Sequence, residues 1–278
     1  MTAEPPTGGA PTPLDPEVDG GQVHPPEPVV ATMEQAVAGL STAPPAVANR
    51  IVANRIVGWA TDMGTPTTLV LLRHGETAGS VAKLFSGRGG HDHELTPLGR
   101  TQARLAGQLL AATRHGIGAI VASPLRRCLE TAAYAAEELG LEISIEEGFA
   151  ESAFGEWDGL TYEQVAERWP GLLRDWLNST SVAPPGGESM EALESRVLAA
   201  RDRVISAHLG ATVLVVAHVN PIKSLVRVAL DAPPHAVYRM AMAPASVSEI
   251  DYYPDGTGVL RGFGLSAHTA TAASAPGR

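Results

Sequence analysis

Three short apolar runs constrain the fold of this 278-residue chain more than any other feature. They are Thr67–Leu72 (TTLVLL), Ile117–Ala122 (IGAIVA) and Thr212–Ala217 (TVLVVA), and each has the length and the apolar content of a buried strand. Helix-like segments separate them, and strands that alternate with helices are typical of a mostly parallel sheet covered on both faces. The sequence therefore predicts an α/β domain built as a three-layer sandwich.

The other elements are predicted from apolar periodicity and from capping and turn residues. Thr96 should cap a helix that begins at Pro97, and Gly140 should end a second helix that begins near Pro124. Further helices are predicted at 161–168, 170–177, 190–208 and 221–230. A short edge strand is predicted at 142–146, and two antiparallel strands at 246–253 and 258–262.

The two ends of the chain differ in composition from its body. Residues 1–45 contain ten of the 22 prolines and no aromatic residue, so they cannot bury enough apolar surface to offset the entropy lost on ordering. The pentapeptide ANRIV occurs twice in tandem at 48–57. We predict a disordered, Pro-rich, acidic tail and linker over 1–60, a folded domain over 61–265 and a disordered tail over 266–278.

Charge and composition exclude several classes of protein. A formal net charge of −10 argues against nucleic-acid binding, which needs clustered Lys and Arg. The sequence has no apolar run long enough for a membrane helix, and its first residues lack the pattern of a signal peptide. Cys128 is the single cysteine, so no intramolecular disulfide can form. We therefore expect a cytoplasmic protein with neither a nucleic-acid nor a membrane partner, and a homodimer is left open.

Basic side chains follow the predicted strands at one edge of the sheet. Arg73 and His74 come directly after the first strand, His218 follows the third, and Arg126 and Arg127 follow the second. The carboxyl ends of parallel strands meet at one edge, where ligands bind in open α/β sheets. Guanidinium groups fit phosphate oxygens, and a neutral imidazole can attack phosphorus. This rim predicts an anionic phosphate site with a nucleophilic histidine and no need for a metal.

Two further features could bind a metal or react with a substrate: the four residues 91–94 and the single cysteine. His91, Asp92, His93 and Glu94 have the side chains that zinc or manganese prefers, but four consecutive residues on a polar loop do not readily converge on one ion, so a solvated loop is favoured. Cys128 is next to Arg127, whose charge would lower the pKa of the thiol. Packing within a helix is the favoured role for Cys128.

Five motifs in the body of the chain support a more specific interpretation. They are LVLLRHGET (69–77), SPLRRCLETA (123–132), AESAFGEWDG (150–159), PPGGES (184–189) and VVAHVNPIKSL (215–225). Together they resemble the histidine phosphatase superfamily, in its phosphoglycerate mutase-like branch, over roughly residues 66–262. Within this branch the chain is most similar to the acid phosphatase half of bacterial ribonuclease H/acid phosphatase fusions and to α-ribazole phosphatases.

The resemblance implies a catalytic role for five residues. His74 matches the histidine that the family phosphorylates, and Glu151 matches its proton donor. Arg73, Arg127 and His218 match the residues that bind the phosphoryl oxygens. The implied activity is that of a metal-independent histidine acid phosphatase, a phosphomonoesterase that acts through a phosphohistidine on a small phosphorylated metabolite, without a cofactor.

The predicted substrate-binding set adds Ser80, Ser86 and Gly87 to Arg73, His74, Arg127 and His218. The sequence departs from the family pattern at three positions. Ser80 stands where many members have Asn, Val219 follows the second histidine where Gly is usual, and the 87–95 loop is about two residues longer than in typical members. The path of that loop over the site is not predicted.

Two alternative functions are kept. Phosphoglycerate mutases resemble this chain but have a long insertion between the acid and the second histidine, whereas Glu151 and His218 are only 67 residues apart here. A non-catalytic domain that binds a phosphorylated ligand would lack one of the catalytic groups, and none is missing. The sequence does not identify the phosphomonoester.

Overall fold

The computed structural model describes residues 63–113 and 116–266. Six strands in these residues form one sheet: β1 (Thr67–Arg73), β2 (Ile117–Ala122), β3 (Ile143–Ile145), β4 (Thr212–Ala217), β5 (Ser246–Tyr252) and β6 (Gly258–Ser266). The α-helices are α1 (Ala78–Val81), α2 (Pro97–Ala112), α3 (Arg126–Leu139), α4 (Tyr162–Arg168), α5 (Pro170–Asn178), α6 (Met190–Ala207) and α7 (Val219–Ala229). Short 3₁₀ helices lie at Glu147–Phe149, Gly155–Trp157 and Pro234–Arg239.

The sheet has the strand order β3-β2-β4-β1-β5-β6. The four strands from β3 to β1 pair in parallel, and β5 and β6 extend the sheet as antiparallel strands. The predicted α/β fold with a mostly parallel sheet is therefore confirmed. Strand β1 lies directly beside β4, with Arg73 paired with Ala217 at their carboxyl ends.

Helices cover both faces of the sheet and form the outer two layers. Because side chains alternate along a strand, Leu69 and Leu71 of β1 face helices α6 and α7, whereas Val70 and Leu72 face α2 and α3. These four side chains are fully buried. Each such burial contributes roughly 1.5–3 kcal/mol of hydrophobic free energy, so the sheet centre is a rigid support for the residues that follow it.

Local capping residues fix the helix ends as predicted. The hydroxyl of Thr96 accepts a hydrogen bond from the Gly99 amide at the start of α2, and Pro97 occupies the first turn. Gly140 ends α3 with a φ of 66°, a conformation that glycine adopts without strain. Helix α1 was not predicted, because its four residues are too few for a periodic pattern.

Both tails lie outside the described residues: the prediction for 1–60 falls on residues that are not described, and so does nearly all of the prediction for 266–278. The division into tail, domain and tail stays a prediction. Among the described residues, no helix combines the length and the apolar character that a membrane span requires.

Candidate active site

The two central strands deliver one histidine each to the same edge of the sheet. His74 follows β1 and His218 follows β4, and the backbone amide of His74 continues the ladder by donating to the Ala217 carbonyl at 3.1 Å. The centroids of the two imidazole rings are 5.2 Å apart, with an angle of 58° between their planes. The predicted convergence of these histidines is therefore present.

His74 is held in one tautomer by its neighbour. Its Nδ1 lies 2.8 Å from the carbonyl oxygen of Gly75, which can only accept, so Nδ1 carries the hydrogen and Nε2 keeps its lone pair. The amide of Gly75 in turn donates to the hydroxyl of Thr131 at 3.1 Å. A side chain on Gly75 would lie 2.4 Å from the carbonyl oxygen of Gly99, so this position requires glycine.

Burial and two cations keep both imidazoles neutral. Burial lowers the pKa of His74 well below 6.5, and the charges of Arg127 and Arg73 lower it further. The pKa of His218 is lowered in the same way, first by burial and then by Arg127. A neutral His74 with a free Nε2 has the protonation state of a nucleophile.

Arg127 is a buried cation that contacts His218 and acts electrostatically on His74. Its Nε donates to Nδ1 of His218 at 3.2 Å, and its Nη2 donates to the carbonyl of Ser86 at 3.0 Å. Its Nη1 is buried and has no hydrogen-bond partner among the described residues, and the Asp92 carboxylate lies 3.8 Å from it, beyond hydrogen-bonding distance. This nitrogen can therefore donate to a bound anion.

Arg73 presents a second free donor to the same edge. Its Nη1 donates to the carbonyl of Met242, and its buried Nε has no partner among the described residues. Burial lowers the pKa of this guanidinium, and the negative charge of Glu151 opposes that effect. An unsatisfied buried donor is costly, roughly 1–3 kcal/mol, and an anion bound here would remove that cost.

His218 is oriented by Ser123, which the sequence analysis did not assign. Since Nδ1 of His218 accepts from Arg127, Nε2 carries the hydrogen and donates to the Ser123 hydroxyl at 2.7 Å. The thiol of Cys128 lies 3.3 Å from the same Nε2. Burial raises the pKa of this thiol to about 12 and outweighs the Arg127 charge, so the expected lowering is wrong and packing is its role.

Glu151 faces the site from the segment that precedes the 3₁₀ helix Gly155–Trp157. The residue is 6% exposed, its Oε1 accepts from the Ser152 amide at 2.9 Å, and its Oε2 lies 3.5 Å from the Asn220 amide. Burial raises the pKa of Glu151, although the Ser152 amide and the Arg127 charge act in the opposite direction. A carboxyl with a raised pKa retains its proton at higher pH than usual, as a proton donor must.

A family model supports what this geometry indicates. The model for the histidine phosphatase superfamily, branch 1, matches residues 69–263. The chain belongs to this superfamily. The resemblance drawn from the five motifs is therefore confirmed.

Relatives of this chain within and around the superfamily include proteins of more than one activity. A bifunctional protein of Mycobacterium tuberculosis is 47% identical over 204 residues, which is 73% of this chain but only 55% of the relative's length. A 2,3-bisphosphoglycerate-dependent phosphoglycerate mutase of Methylorubrum populi is 38% identical over 166 residues, or 58% of this chain and 77% of that protein. The solved structure of a mycobacterial glucosyl-3-phosphoglycerate phosphatase with VO3 has a TM-score of 0.66 and 29% identity, and the match covers 72% of this chain and all of that one.

The remaining predicted substrate-binding residues of the histidine phosphatase domain differ in how free their polar groups are. The hydroxyl of Ser86 is buried without a partner among the described residues, so it is available to a ligand. The amide of Gly87 already donates to Asp158 at 2.9 Å, and a side chain there would lie 1.8 Å from the Ser152 carbonyl oxygen. The hydroxyl of Ser80 is engaged with the backbone of Thr77 in a capping box at α1, so a phosphate contact would require it to rotate.

The 87–95 loop is attached to the start of α3. Both carboxylate oxygens of Asp92 accept from the Arg126 amide at 3.1 Å, and Glu94 pairs with the Arg126 side chain. His93 packs against Gly79 instead of joining these acids. Across 63–113 and 116–266, no three or more His, Cys, Asp or Glu side chains converge as metal ligands.

Proposed function

We propose that this histidine phosphatase hydrolyses small phosphomonoesters through a phosphohistidine on His74. The observation that carries the proposal is the pair of buried, partnerless donors, Arg73 Nε and Arg127 Nη1, beside a neutral imidazole whose Nε2 is free. Two guanidinium groups with unused N–H bonds fit a phosphoryl group, and the orientation of His74 leaves its nucleophilic atom unblocked.

The proposed reaction has two displacements. In the first, Nε2 of His74 attacks phosphorus, the bond to the ester oxygen breaks, and Glu151 gives its proton to the departing alkoxide. In the second, the Glu151 carboxylate takes a proton from water, the hydroxide attacks phosphorus, and inorganic phosphate leaves His74. Arg73 and Arg127 would stabilise the equatorial oxygens in both steps, each by roughly 3 kcal/mol. Both ring nitrogens of His218 are bonded, to Arg127 and to Ser123, so His218 would act by holding the Arg127 guanidinium in place.

The raised pKa of Glu151 supports the finer proposal of an acid phosphatase. The first step needs Glu151 protonated and His74 neutral. Burial raises the pKa of Glu151 and lowers the pKa of His74, and both shifts widen the pH range in which the two conditions hold together. Acidic pH favours the protonated state of Glu151, because a carboxyl loses its proton as the pH rises. The cytoplasmic location and the absence of nucleic-acid and membrane partners stay predictions from composition, and a homodimer stays open.

A mutase is the second candidate, because a phosphoglycerate mutase is among the relatives. The two activities differ in what accepts the phosphoryl group of His74: water in a phosphatase, a hydroxyl of phosphoglycerate in a mutase. Between Glu151 and His218 the chain provides the 3₁₀ helix Gly155–Trp157, helices α4, α5 and α6, and strand β4 as its regular elements. This short segment favours the phosphatase.

A phosphate-release assay over a panel of phosphomonoesters tests the proposal. We expect inorganic phosphate from at least one substrate, activity that survives EDTA, and inhibition by vanadate, which resembles five-coordinate phosphorus. The matched controls are His74→Ala and His235→Ala, a substitution at an exposed histidine on a 3₁₀ helix. Isomerisation of 3-phosphoglycerate that exceeds phosphate release would favour the mutase, and phosphate binding without turnover would favour a non-catalytic domain.

A further inference from the structure

Arg196 of helix α6 holds the backbone that carries Glu151. Its Nη1 donates to the carbonyls of Gly148 and Ala150 at 2.9 and 2.8 Å, and its Nη2 donates to the carbonyl of Glu151 at 3.0 Å. Three carbonyls within four residues therefore turn toward one guanidinium. These bonds fix the peptide groups just before Glu151 and the peptide group directly after it.

Glu188 completes this arrangement from the PPGGES segment. Its two carboxylate oxygens accept from Nη2 and Nε of Arg196 at 2.6 and 3.1 Å, and its Oε1 also accepts from the Ala153 amide at 2.9 Å. The side chains of Arg196 and Glu188 are only 18% and 10% exposed. The pair thus holds backbone groups on both sides of Glu151.

All five N–H bonds of Arg196 are used in these contacts. Two go to Glu188, and three go to the carbonyls of Gly148, Ala150 and Glu151. A guanidinium offers five donors in a rigid plane, so no other side chain can make this set of bonds. The requirement for arginine at 196 is therefore geometric as well as electrostatic.

We infer that Arg196, together with Glu188, is a positioning residue for the proposed proton donor Glu151. The inference rests on the proposed function and deepens it. Arg196 reaches Glu151 through the backbone, whereas the phosphoryl group would be bound by Arg73 and Arg127. Loss of Arg196 should therefore impair proton donation to the leaving group and leave phosphoryl binding nearly unchanged.

The charge of Arg196 acts on Glu151 in the same site. Burial raises the pKa of Glu151, and the positive charge of Arg196 is among the effects that lower it. Arg196 therefore counters part of the burial effect, so that Glu151 can release its proton to the leaving group and recover it from water.

The test compares two substrates that differ in their need for a proton. Leaving groups of alkyl phosphates need protonation, whereas p-nitrophenolate leaves without much help. We expect Arg196→Met to lower kcat/KM for an alkyl phosphate by about 10–50-fold and for p-nitrophenyl phosphate by less than about 3-fold, because small misplacements of a catalytic group are costly. KM for both substrates should change little.

A double-mutant cycle separates positioning from general structural support. In the Glu151→Gln background, Arg196→Met should slow the alkyl phosphate by no more than about 2-fold, because the group that it positions has no proton to give. Full multiplication of the two effects would overturn the inference.

The chain offers a matched control in the pair formed by Arg227 and Glu194. Arg227 of α7 forms the same bidentate pair with Glu194 of α6, with Nε and Nη2 donating to the two carboxylate oxygens at 2.7 and 2.6 Å. The two side chains are 15% and 23% exposed. Among the described residues, the hydrogen bonds of Arg227 go to Glu194 and to the carbonyl of Ala232, and none goes to the Glu151 segment. Arg227→Met should change the activity toward both substrates by less than about 3-fold and by the same factor.

Each outcome decides the inference. Equal slowing of both substrates by Arg196→Met in a protein with native circular dichroism would overturn it. If Arg196→Met does not fold, Glu188→Gln replaces it, and the same preference for alkyl phosphates is expected, whereas equal slowing again overturns it. If Glu151→Gln slows both substrates equally, the proposed acid is wrong and the inference is overturned with it. If Glu151→Gln slows the alkyl phosphate more and Arg196→Met does not, the inference alone is overturned.

Discussion

The Nδ1 of His74 lies 2.8 Å from the carbonyl oxygen of Gly75, the next residue along the chain. A contact of this kind fixes the ring without any residue from a distant segment, so the nucleophile keeps one tautomer for as long as the strand end is formed. It also means that Nε2 is the atom on which a phosphoryl group would be found.

Replacement of His74 by alanine should abolish turnover. We expect a loss of at least about 1,000-fold in kcat with the fold retained, because the change removes the nucleophile from a rim position. Rapid quenching of the unmodified enzyme with labelled substrate should show phosphate that is labile in acid and stable in base. Label on Ser80 or Cys128 would contradict the assignment.

The rate should fall as the pH rises through the neutral range. Burial raises the pKa of Glu151, so the acid holds its proton above the usual range, but it must still lose that proton at higher pH. On the other side, the lowered pKa of His74 keeps the nucleophile neutral well below pH 6.5. The measurement is kcat/KM for an alkyl phosphate, which should be higher near pH 5.5 than near pH 8, by about 10-fold or more. A rate that increases steadily toward pH 8 would rule out this assignment of protons.

Replacement of Glu151 by glutamine should lower kcat/KM, which reports the first displacement, by about 100-fold or more for alkyl phosphates and much less for p-nitrophenyl phosphate. The alkaline decline in the rate of the alkyl substrate should vanish with the group that causes it. The controls are Glu156→Gln and Asp158→Asn, on the same segment, which should affect both substrates alike. If Asp158→Asn discriminates and Glu151→Gln does not, the acid role moves to Asp158.

Ser123 provides a test of how His218 is oriented. Without the hydroxyl 2.7 Å from Nε2, a buried N–H loses its partner at a cost of about 1–3 kcal/mol, and the ring is free to turn. We expect Ser123→Ala to lower kcat/KM by about 10-fold for alkyl and aryl phosphates equally, because His218 holds Arg127, which would bind the phosphoryl oxygens of either substrate. Ser224→Ala, at a buried serine with no partner among the described residues, is the control and should change neither rate appreciably.

The pattern of apolar residues was sufficient to predict most of the helices and strands. Strands β2 and β4 have the predicted bounds, and α3 ends at the predicted Leu139 before Gly140. The differences lie at ends that depend on tertiary contacts. Helix α3 begins at Arg126 instead of near Pro124, because Asp92 of a distant loop caps the Arg126 amide. The sequence could not predict that cap, nor the strand order.

In the candidate site, too, some residues could be predicted from their position in the sequence and others depend on tertiary contacts. The residues that follow strands, such as His74 and His218, converge because their position along the chain fixes their position at the sheet edge. Ser123 stood in a recognised motif, but nothing in its spacing shows that its hydroxyl faces an imidazole. Arg196 is one arginine among several on an exposed-looking helix pattern, and its five contacts to Glu188 and to backbone carbonyls appear only in three dimensions.

The pairing of β1 with β4 has a consequence for how the enzyme loses activity when heated. Each histidine follows directly after a central strand whose middle residues are buried. Amides in such strands exchange their hydrogens with solvent only when the whole domain opens. We therefore expect deuterium uptake at Leu71 and Val215 to be among the slowest in the protein. Thermal inactivation should then coincide with loss of the sheet and should not precede it as a separate, local melting of the site.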